Sequence, residues 1–349
     1  MSYSLVPQQD AVKRSKARLR DNINRPWGLY GIDTGIHPLN MLIGGWIPGK
    51  LTTIAARSGI GKTALTSSFF SRGAEVVNGK RAHYLFMTWE MESSYLVDRH
   101  VCRIAGITNA MLTQGAKLLG PKTKQLIKSA YLEADTIPVL YQELALDVEK
   151  ATAVITSFIE KCKDMADSEG VGVQPVIVID YIQMADFQKV GTRTYGIGDF
   201  MNFLKQTANK TGSAVCVFAQ IKRTADDRGS MPQRNDILDS GAIENASDNL
   251  VLLHRPEYYY EEEMTDPNTV PPTKIEAKNK MLIRMLKGRD FGLGDRVINC
   301  EVKYYRFWDL QASRWDYPYW QNYNDESFWK RQFGFEDVSD AGQVSMLNK

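Results

Sequence analysis

The chain has 349 residues, of which 43% are hydrophobic and 24% are charged, and its formal net charge is only +2. This composition is typical of a globular protein and argues against a surface that is basic throughout, although a local basic groove stays open. The sequence contains no run of about 18 apolar residues, which excludes a membrane-spanning helix, and its polar N-terminus lacks the apolar segment of a signal peptide. Four scattered cysteines without a Cys-x-x-Cys pair predict reduced thiols in the cytoplasm and disfavour a zinc site.

The first 30 residues are polar and carry a cluster of basic side chains between Lys13 and Arg20. Their apolar content is too low for a well-buried helix face. Two interpretations remain open for this segment: a solvated or partly disordered arm, or a linker that docks on a neighbouring subunit.

A phosphate-binding loop is indicated after the apolar strand predicted at 51–55. Gly59 and Gly61 allow successive N–H groups to turn toward one anion, and the following helix adds its dipole. Lys62 would reach the β- and γ-phosphates of ATP, and the Thr63 hydroxyl would bind Mg²⁺. A surface turn rich in small residues is the alternative, and the flanking strand and helix disfavour it. The predicted nucleotide-binding residues are Ser58, Gly59, Ile60, Gly61, Lys62, Thr63 and Ala64.

Three other predicted strands end in polar residues, and ligands of α/β sheets bind at such strand ends. Glu90 follows the strand at 81–88 and is a candidate general base, although it could equally be an N-terminal residue of the next helix. Asp180 ends the β-branched run that starts at Pro175, and such a run is typical of a buried parallel strand. At this position its carboxylate can accept hydrogen bonds from water molecules bound to Mg²⁺. Gln220 ends a further strand, where its amide can hydrogen-bond a γ-phosphate.

Two polar loops, at 186–198 and from residue 222 onward, are rich in basic residues, and taken alone they indicate solvated surface. Near the C-terminus, strands are predicted at 281–286 and 297–302, joined by a hairpin tip. Residues 309–349 form an aromatic extension that ends in a flexible tail.

Six motifs occur in one order along the chain, and together they resemble the RecA-like ATPase domain of DnaB-type replicative helicases. They are Ala56–Thr63, Thr88–Met91, Val176–Met184, Phe218–Arg223, Asp239–Glu244 with Asp248, and Lys287–Arg289. The resemblance implies an α/β fold with a mostly parallel twisted sheet, helices on both faces and a C-terminal β-hairpin. It divides the chain into a linker at 1–30, an ATPase domain at 31–308 and an extension at 309–349.

The resemblance also implies roles within one subunit. Lys62 and Thr63 match the Walker A residues, and Asp180 matches the Walker B acid. Glu90 matches the catalytic glutamate, and Gln220 matches the γ-phosphate sensor that couples hydrolysis to the DNA loops.

Between subunits, Lys287 and Arg289 match the pair that reaches the neighbouring nucleotide, with Arg289 as the arginine finger. A finger supplied by another subunit implies a homo-oligomeric ring, which in this family is a hexamer. The two polar loops, at 186–198 and 222–241, match the channel loops that hold single-stranded DNA, chiefly by its phosphates. The DNA-binding candidates are Arg193, Lys222, Arg223, Arg228 and Arg234, with the loop amides around Ser240 and Gly241.

The leading hypothesis is therefore an ATP-driven, ring-forming replicative helicase that moves 5′→3′ on single-stranded DNA and unwinds duplex. One alternative is a RecA-like ATPase that binds single-stranded DNA without unwinding, and another is a non-motor scaffold that binds nucleotide only to assemble. Only about 30 residues precede the ATPase core, so we expect no primase-contacting domain and a phage or plasmid form. A primase or a loader stays open as a partner.

Overall fold

The computed structural model describes residues 6–23, 29–70, 76–77, 79–115, 117, 119–185, 193–222, 232–261 and 278–309. The chain divides into two units, residues 1–28 with 310–349, and residues 29–309. In the first unit the described element is the helix α1, Gln8–Ile23, which is largely exposed. An exposed helix over these residues differs from the partly disordered form of the expected arm, and docking on a neighbouring subunit stays a prediction.

The second unit is built on one β-sheet, in which β1 is a central strand. The strands are β1 (Leu51–Ala56), β2 (Val76–Val77), β3 (Lys80–Thr88), β4 (Val139–Gln142), β5 (Gly172–Asp180), β6 (Ala214–Gln220), β7 (Asn249–His254), β8 (Lys280–Gly288), β9 (Gly294–Glu301) and β10 (Arg306–Asp309). The helices are α2 (His37–Ile43), α3 (Lys62–Phe69), α4 (Ser93–Ala105), α5 (Asn109–Thr113), α6 (Pro121–Ala134), α7 (Val148–Glu169), α8 (Arg193–Thr211), α9 (Ser240–Ala246) and α10 (Pro256–Glu261).

The ten strands form a single sheet in the order β10-β9-β8-β7-β1-β6-β5-β3-β2, with β4 also paired to β3. The six strands β4, β3, β5, β6, β1 and β7 run parallel to one another. The antiparallel hairpin β8–β9 extends the sheet beyond β7, and β10 pairs with β9. The predicted fold class is confirmed: a mostly parallel α/β sheet with a C-terminal β-hairpin.

Successive residues of the central strands face opposite sides of the sheet and enter two separate cores. Ile54 and Phe86 pack on the first side, against residues of α2, α3 and the β8–β9 hairpin. Ala55 and Met87 pack on the second side, against residues of α7, α8 and α9. Because both faces are covered, most residues of the central strands are apolar, which explains the β-branched run of β5.

Two helix boundaries and two short strands differ from the sequence-based expectation. The sequence predicts a helix at about 62–78 after the phosphate loop, whereas the helix ends at Phe69, and Val76–Val77 is a strand. The helix α8 begins at Arg193, so the predicted loop at 186–198 is helical over its last six residues. The sequence pattern does not predict the strand β10. In the part of the chain that the structure describes, no helix combines the length and apolar character needed to cross a membrane.

Candidate functional site

The loop between β1 and α3 has the backbone of a phosphate cradle. All six residues of β1 are buried, so the loop starts from a fixed point at the centre of the sheet. Gly59 and Gly61 have φ angles of 81° and 115°, which an L side chain rarely adopts. A Cβ atom at Gly59 would also lie 2.8 Å from the Tyr258 ring. Glycine is therefore needed at Gly59 for both conformation and space.

Lys62 is buried at the start of α3, and its ammonium group lies inside the cradle. Its Nζ donates a hydrogen bond to the Ala56 carbonyl oxygen, at 3.0 Å. Burial lowers the pKa of Lys62 below its usual value, while the nearby charges of Asp180 and Glu90 oppose this effect. The side chain thus presents a poorly solvated cation, which favours a bound anion as its partner.

Thr63 and Asp180 bring a hydroxyl and a carboxylate together beside Lys62. Thr63 Oγ1 donates to Asp180 Oδ2 at 2.7 Å. The other carboxylate oxygen, Oδ1, is buried and accepts no hydrogen bond within the described residues. Burial raises the pKa of Asp180, opposed by the Thr63 hydrogen bond and by the Lys62 charge. Because Mg²⁺ prefers oxygen ligands and one or two carboxylates, this pair of side chains fits that ion.

A cavity of about 260 Å³ opens in front of these residues. It is lined by Arg57, Ser58, Gly59, Gly61, Lys62, Thr63, Ala64, Glu90, Met91, Arg99, Tyr181, Gln220, Val302 and Tyr305. Six of the seven predicted nucleotide-binding residues are in this lining. The exception is Ile60, whose side chain is fully buried in the core on the first side of the sheet. The structure therefore joins the phosphate cradle to the polar ends of other strands.

Glu90 lies at this cavity because β3 and β5 pair in register, with Thr88 opposite Asp180. Its side chain is exposed. Glu92 is the N-cap residue of α4, so Glu90 precedes the helix by three residues. The interpretation of Glu90 as an N-terminal residue of that helix is wrong.

The turn that carries Glu90 is held at both ends by the last residue of β4 and the residue after it. The indole Nε1 of Trp89 donates to Gln142 Oε1 at 2.6 Å. The backbone N–H of Ser93 donates to Glu143 Oε1 at 2.9 Å. These two contacts fix the backbone on either side of the Glu90 carboxylate.

Gln220 reaches the cavity from the end of β6, in register with Ala56 on β1. Its backbone N–H donates to Gln183 Oε1 at 3.1 Å, and its carbonyl oxygen accepts from the Leu238 N–H at 3.0 Å. Next to it, the Ile221 N–H donates to the Ala56 carbonyl oxygen, which also accepts from Lys62. The end of β6 is thereby connected to the phosphate cradle.

Lys287 and Arg289 lie at the opposite end of the parallel strands. The Arg289 N–H donates to the Asp248 carbonyl oxygen, and the Asp248 carboxylate accepts from the N–H of Leu51, the first residue of β1. Arg289 Nη1 lies 3.3 Å from Asp248 Oδ1, and Lys287 Nζ contacts the Glu244 carbonyl oxygen. The structure does not bring this pair to the cavity of its own subunit.

The predicted DNA-binding residues differ in their surroundings. Arg193 begins α8, while Arg223 and Arg228 lie outside the described residues. Lys222 Nζ lies 3.4 Å from the Asn235 carbonyl oxygen. Arg234 is paired with Glu244 at 2.7 Å, so this guanidinium already has an acidic partner. Ser240 and Gly241 form the first turn of α9.

Six cavity residues were not predicted as site residues: Arg57, Met91, Arg99, Tyr181, Val302 and Tyr305. Arg99 and Tyr305 are a cation and a ring that lie close together. Arg99 is on α4, and its guanidinium lies 5.6 Å from the centre of the Tyr305 ring. Tyr305 comes from the turn before β10, and its carbonyl oxygen accepts from Ser67 Oγ on α3 at 3.3 Å. The position of Arg99 nine residues after Glu90, on the helix that follows it, was the available signal. Nothing in the sequence near Tyr305 indicated its proximity to the cradle.

Comparison with known proteins gives one consistent result. The family model described as the DnaB-like helicase C terminal domain matches residues 31–309. The replicative DNA helicase DnaB of Mycoplasma genitalium is 27% identical over 259 residues, which is 73% of this chain and 52% of that protein. DnaB of Geobacillus stearothermophilus is 26% identical over 304 residues, 83% of this chain and 60% of that protein. The chain therefore spans about half the length of these curated relatives.

Solved structures show the same fold at low sequence identity. One solved ATPase domain is 18% identical with a TM-score of 0.72, and the match covers 88% of this chain and 100% of that domain. A DnaB-like replicative helicase, whose structure was described with its interactions with primase, is 18% identical with a TM-score of 0.71, covering 88% and 68% of the two chains. The family model matches most of the chain, so the chain belongs to the DnaB-like helicase C-terminal domain family.

Proposed function

We propose that this protein is an ATP-driven, ring-forming replicative helicase that moves 5′→3′ on single-stranded DNA and unwinds duplex. The observation that carries the proposal is the convergence of Lys62, Thr63, Asp180, Glu90 and Gln220 at one cleft. These residues come from the ends of four neighbouring parallel strands, where α/β sheets bind their ligands. Family membership supports the DNA-motor function, and the direction of movement rests on the family resemblance.

Each cleft residue has a separate role in phosphoryl transfer from ATP to water. Backbone N–H groups of the Gly59–Gly61 loop and the Lys62 ammonium bind the β- and γ-phosphates. The Thr63 hydroxyl and the Asp180 carboxylate would hold Mg²⁺, which, when bound, neutralises phosphate charge. Glu90 accepts a proton from the attacking water, and its exposed carboxylate at the cavity edge leaves room for that water. Gln220 hydrogen-bonds the γ-phosphate and thereby distinguishes ATP from ADP.

Arg289 completes the site of a neighbouring subunit rather than its own. It lies beside Leu51 at the start of β1, whereas the cradle follows Ala56 at the end of β1. Five strand steps separate the two points by about 17 Å, at about 3.3 Å per residue. An arginine side chain cannot span that distance, so its action on a nucleotide requires a second subunit. The same reasoning applies to Lys287, and the oligomer proposed from the family is a hexameric ring.

The predicted DNA-binding residues act in the channel of that ring, on phosphates and without sequence preference. Arg193, Lys222, Arg223 and Arg228 are the proposed basic contacts, together with the N–H groups of Ser240 and Gly241. Arg234 would have to leave Glu244 to take part.

The proposed division of the chain is a linker at 1–30, the motor at 31–308 and an extension at 309–349. A primase or a loader is a further proposed partner, and the proposed location is the bacterial cytoplasm.

The test is strand displacement on a fork that carries a free 5′ tail, with ATP and Mg²⁺. We expect displacement on this fork and none on a fork with only a 3′ tail. Lys62→Ala should remove both displacement and hydrolysis, whereas Lys163→Ala, on the exposed face of α7, should change neither. Hydrolysis stimulated by single-stranded DNA without displacement would instead identify an ATPase that binds DNA but does not unwind it.

A further inference from the structure

Gln183 stands at the junction between the cleft and the proposed DNA-binding segments. It lies in the 3₁₀ turn Ile182–Met184, three residues after Asp180. Its side chain is buried, with 6% of its surface exposed. It does not line the nucleotide cavity. Its burial beside the Walker B strand is therefore not explained by contact with nucleotide.

The side-chain oxygen and nitrogen of Gln183 form hydrogen bonds to two different segments of the chain. Its Oε1 accepts the backbone N–H of Gln220 at 3.1 Å, and its Nε2 donates to the carbonyl oxygen of Leu238 at 3.2 Å. Gln220 and Leu238 are also bonded directly, from the Leu238 N–H to the Gln220 carbonyl oxygen. One buried side chain thus joins the γ-phosphate sensor to the segment that leads into α9.

Both proposed DNA-binding segments are within a few residues of these contacts. The first, from residue 186, begins three residues after Gln183 in the chain. The second includes Leu238 and continues into Ser240 and Gly241, the first turn of α9. A small displacement of the end of β6 would therefore reach the second segment both through the Gln183 amide and through the direct backbone bond between Leu238 and Gln220. It would reach the first segment through the 3₁₀ turn that carries Gln183.

We propose that Gln183 is the positioning residue that couples the nucleotide state sensed at Gln220 to the DNA-binding segments. This inference rests on the proposed function, since it assumes that DNA binding and ATP hydrolysis are coupled. Glutamine suits the role because its amide supplies one acceptor and one donor at the same time. A residue that offers only an acceptor can keep the Gln220 contact but loses the Leu238 contact.

The test compares Gln183→Leu with Gln174→Leu as a matched control. Gln174 is also a buried glutamine of the β5 region, and its Nε2 donates to the Gly212 carbonyl oxygen at 2.7 Å, far along the strand from the cleft. The readout is the ratio of ATP hydrolysis with single-stranded DNA to hydrolysis without it. A purely structural role of Gln183 would lower the amount of folded protein. That loss would reduce both rates equally and leave their ratio unchanged.

For Gln183→Leu we expect the ratio to fall by at least about fivefold, the lower end of usual coupling between sites. The ratio should be unchanged in Gln174→Leu. Gln183→Glu, which keeps a polar side chain and the Gln220 contact, should lose stimulation as Gln183→Leu does. This second variant tests the inference even where the leucine variant does not fold.

Two results would overturn the inference. The first is an unchanged ratio in both Gln183 variants, and the second is an equal fall in Gln174→Leu. A wild-type protein that hydrolyses ATP without any stimulation by single-stranded DNA would refute the proposed function itself, and the inference would fall with it. The wild-type measurement therefore distinguishes the two failures.

Discussion

At the scale of single residues, the chemistry of the cleft follows from which side chains are buried and which are exposed. Lys62 and Asp180 are buried and adjacent, so each stabilises the charge of the other in a place where water is scarce. Glu90 is exposed at the edge of the same cavity. The buried Lys62 suits the binding of phosphate and the buried Asp180 suits the binding of Mg²⁺. The exposed Glu90 carboxylate suits proton transfer from a water molecule.

Glu90→Gln should reduce the rate of ATP hydrolysis by about 100-fold to 10,000-fold, the usual cost of losing a general base. Nucleotide binding should be nearly unchanged, because Lys62 and the loop N–H groups remain. Glu92→Gln provides a matched control, since Glu92 is exposed and two residues away as the N-cap of α4. Equal rates in the two variants, measured by phosphate release, would contradict the role of Glu90.

Residues at the end of a strand or in the loop motif after it could be predicted, and residues brought in by tertiary structure could not. Asp180 and Gln220 are the last residues of buried strands, and Lys62 follows the glycine-containing loop after β1. Arg99 and Tyr305 reach the same cavity through the packing of α4 and of the turn before β10. Gln183 was visible in its motif, but its contacts to Gln220 and Leu238 became evident only from the structure.

At the scale of elements, the β8–β9 hairpin decides where the cationic pair lies. β8 pairs antiparallel to β7, so its last residues meet the first residues of the parallel strands. Lys287 and Arg289 are therefore carried to the edge opposite the cleft. The alternating strands and glycine-rich tip predict the hairpin, whereas the four residues of β10 give too short a pattern to predict a strand.

Arg289→Ala should leave nucleotide binding nearly intact but reduce hydrolysis by about 1,000-fold or more, as expected for loss of an arginine finger. Mixing it with Asp180→Ala subunits should restore part of the activity, because some interfaces then combine an intact cleft with an intact arginine. Hydrolysis measured across mixing ratios checks this expectation.

Arg296→Ala is the control on the same hairpin, since Arg296 is exposed on β9 and should not affect hydrolysis. The absence of any restored activity in the mixtures would argue against action between subunits.

At the scale of the whole molecule, three histidines, whose side chains ordinarily titrate near neutral pH, are buried or half-buried in the fold. Burial lowers the pKa of His83, His100 and His254 below the ordinary value of 6.5. For His254 the nearby Arg284 lowers the pKa further. Below pH 6.5 the unfolded chain therefore binds more protons than the folded chain at these sites, and stability is lost as the pH falls.

We expect the unfolding temperature to fall between about pH 7 and about pH 5, the range in which histidine titrates. His254→Gln should make this fall shallower, because glutamine does not titrate, and the wild-type slope is the reference. Thermal unfolding measured by circular dichroism across this range checks the prediction. A variant slope as steep as that of the wild type would show that His254 does not contribute.

The separation of Arg289 from the cleft along the length of β1 determines how many complete sites an assembly contains. On the proposed arrangement a complete site exists only where two subunits meet, so an isolated subunit has none. An open row of subunits has one site fewer than it has subunits, whereas a closed ring has as many sites as subunits. Hydrolysis per subunit should therefore decline on dilution, and ring closure itself adds one more working site to the assembly.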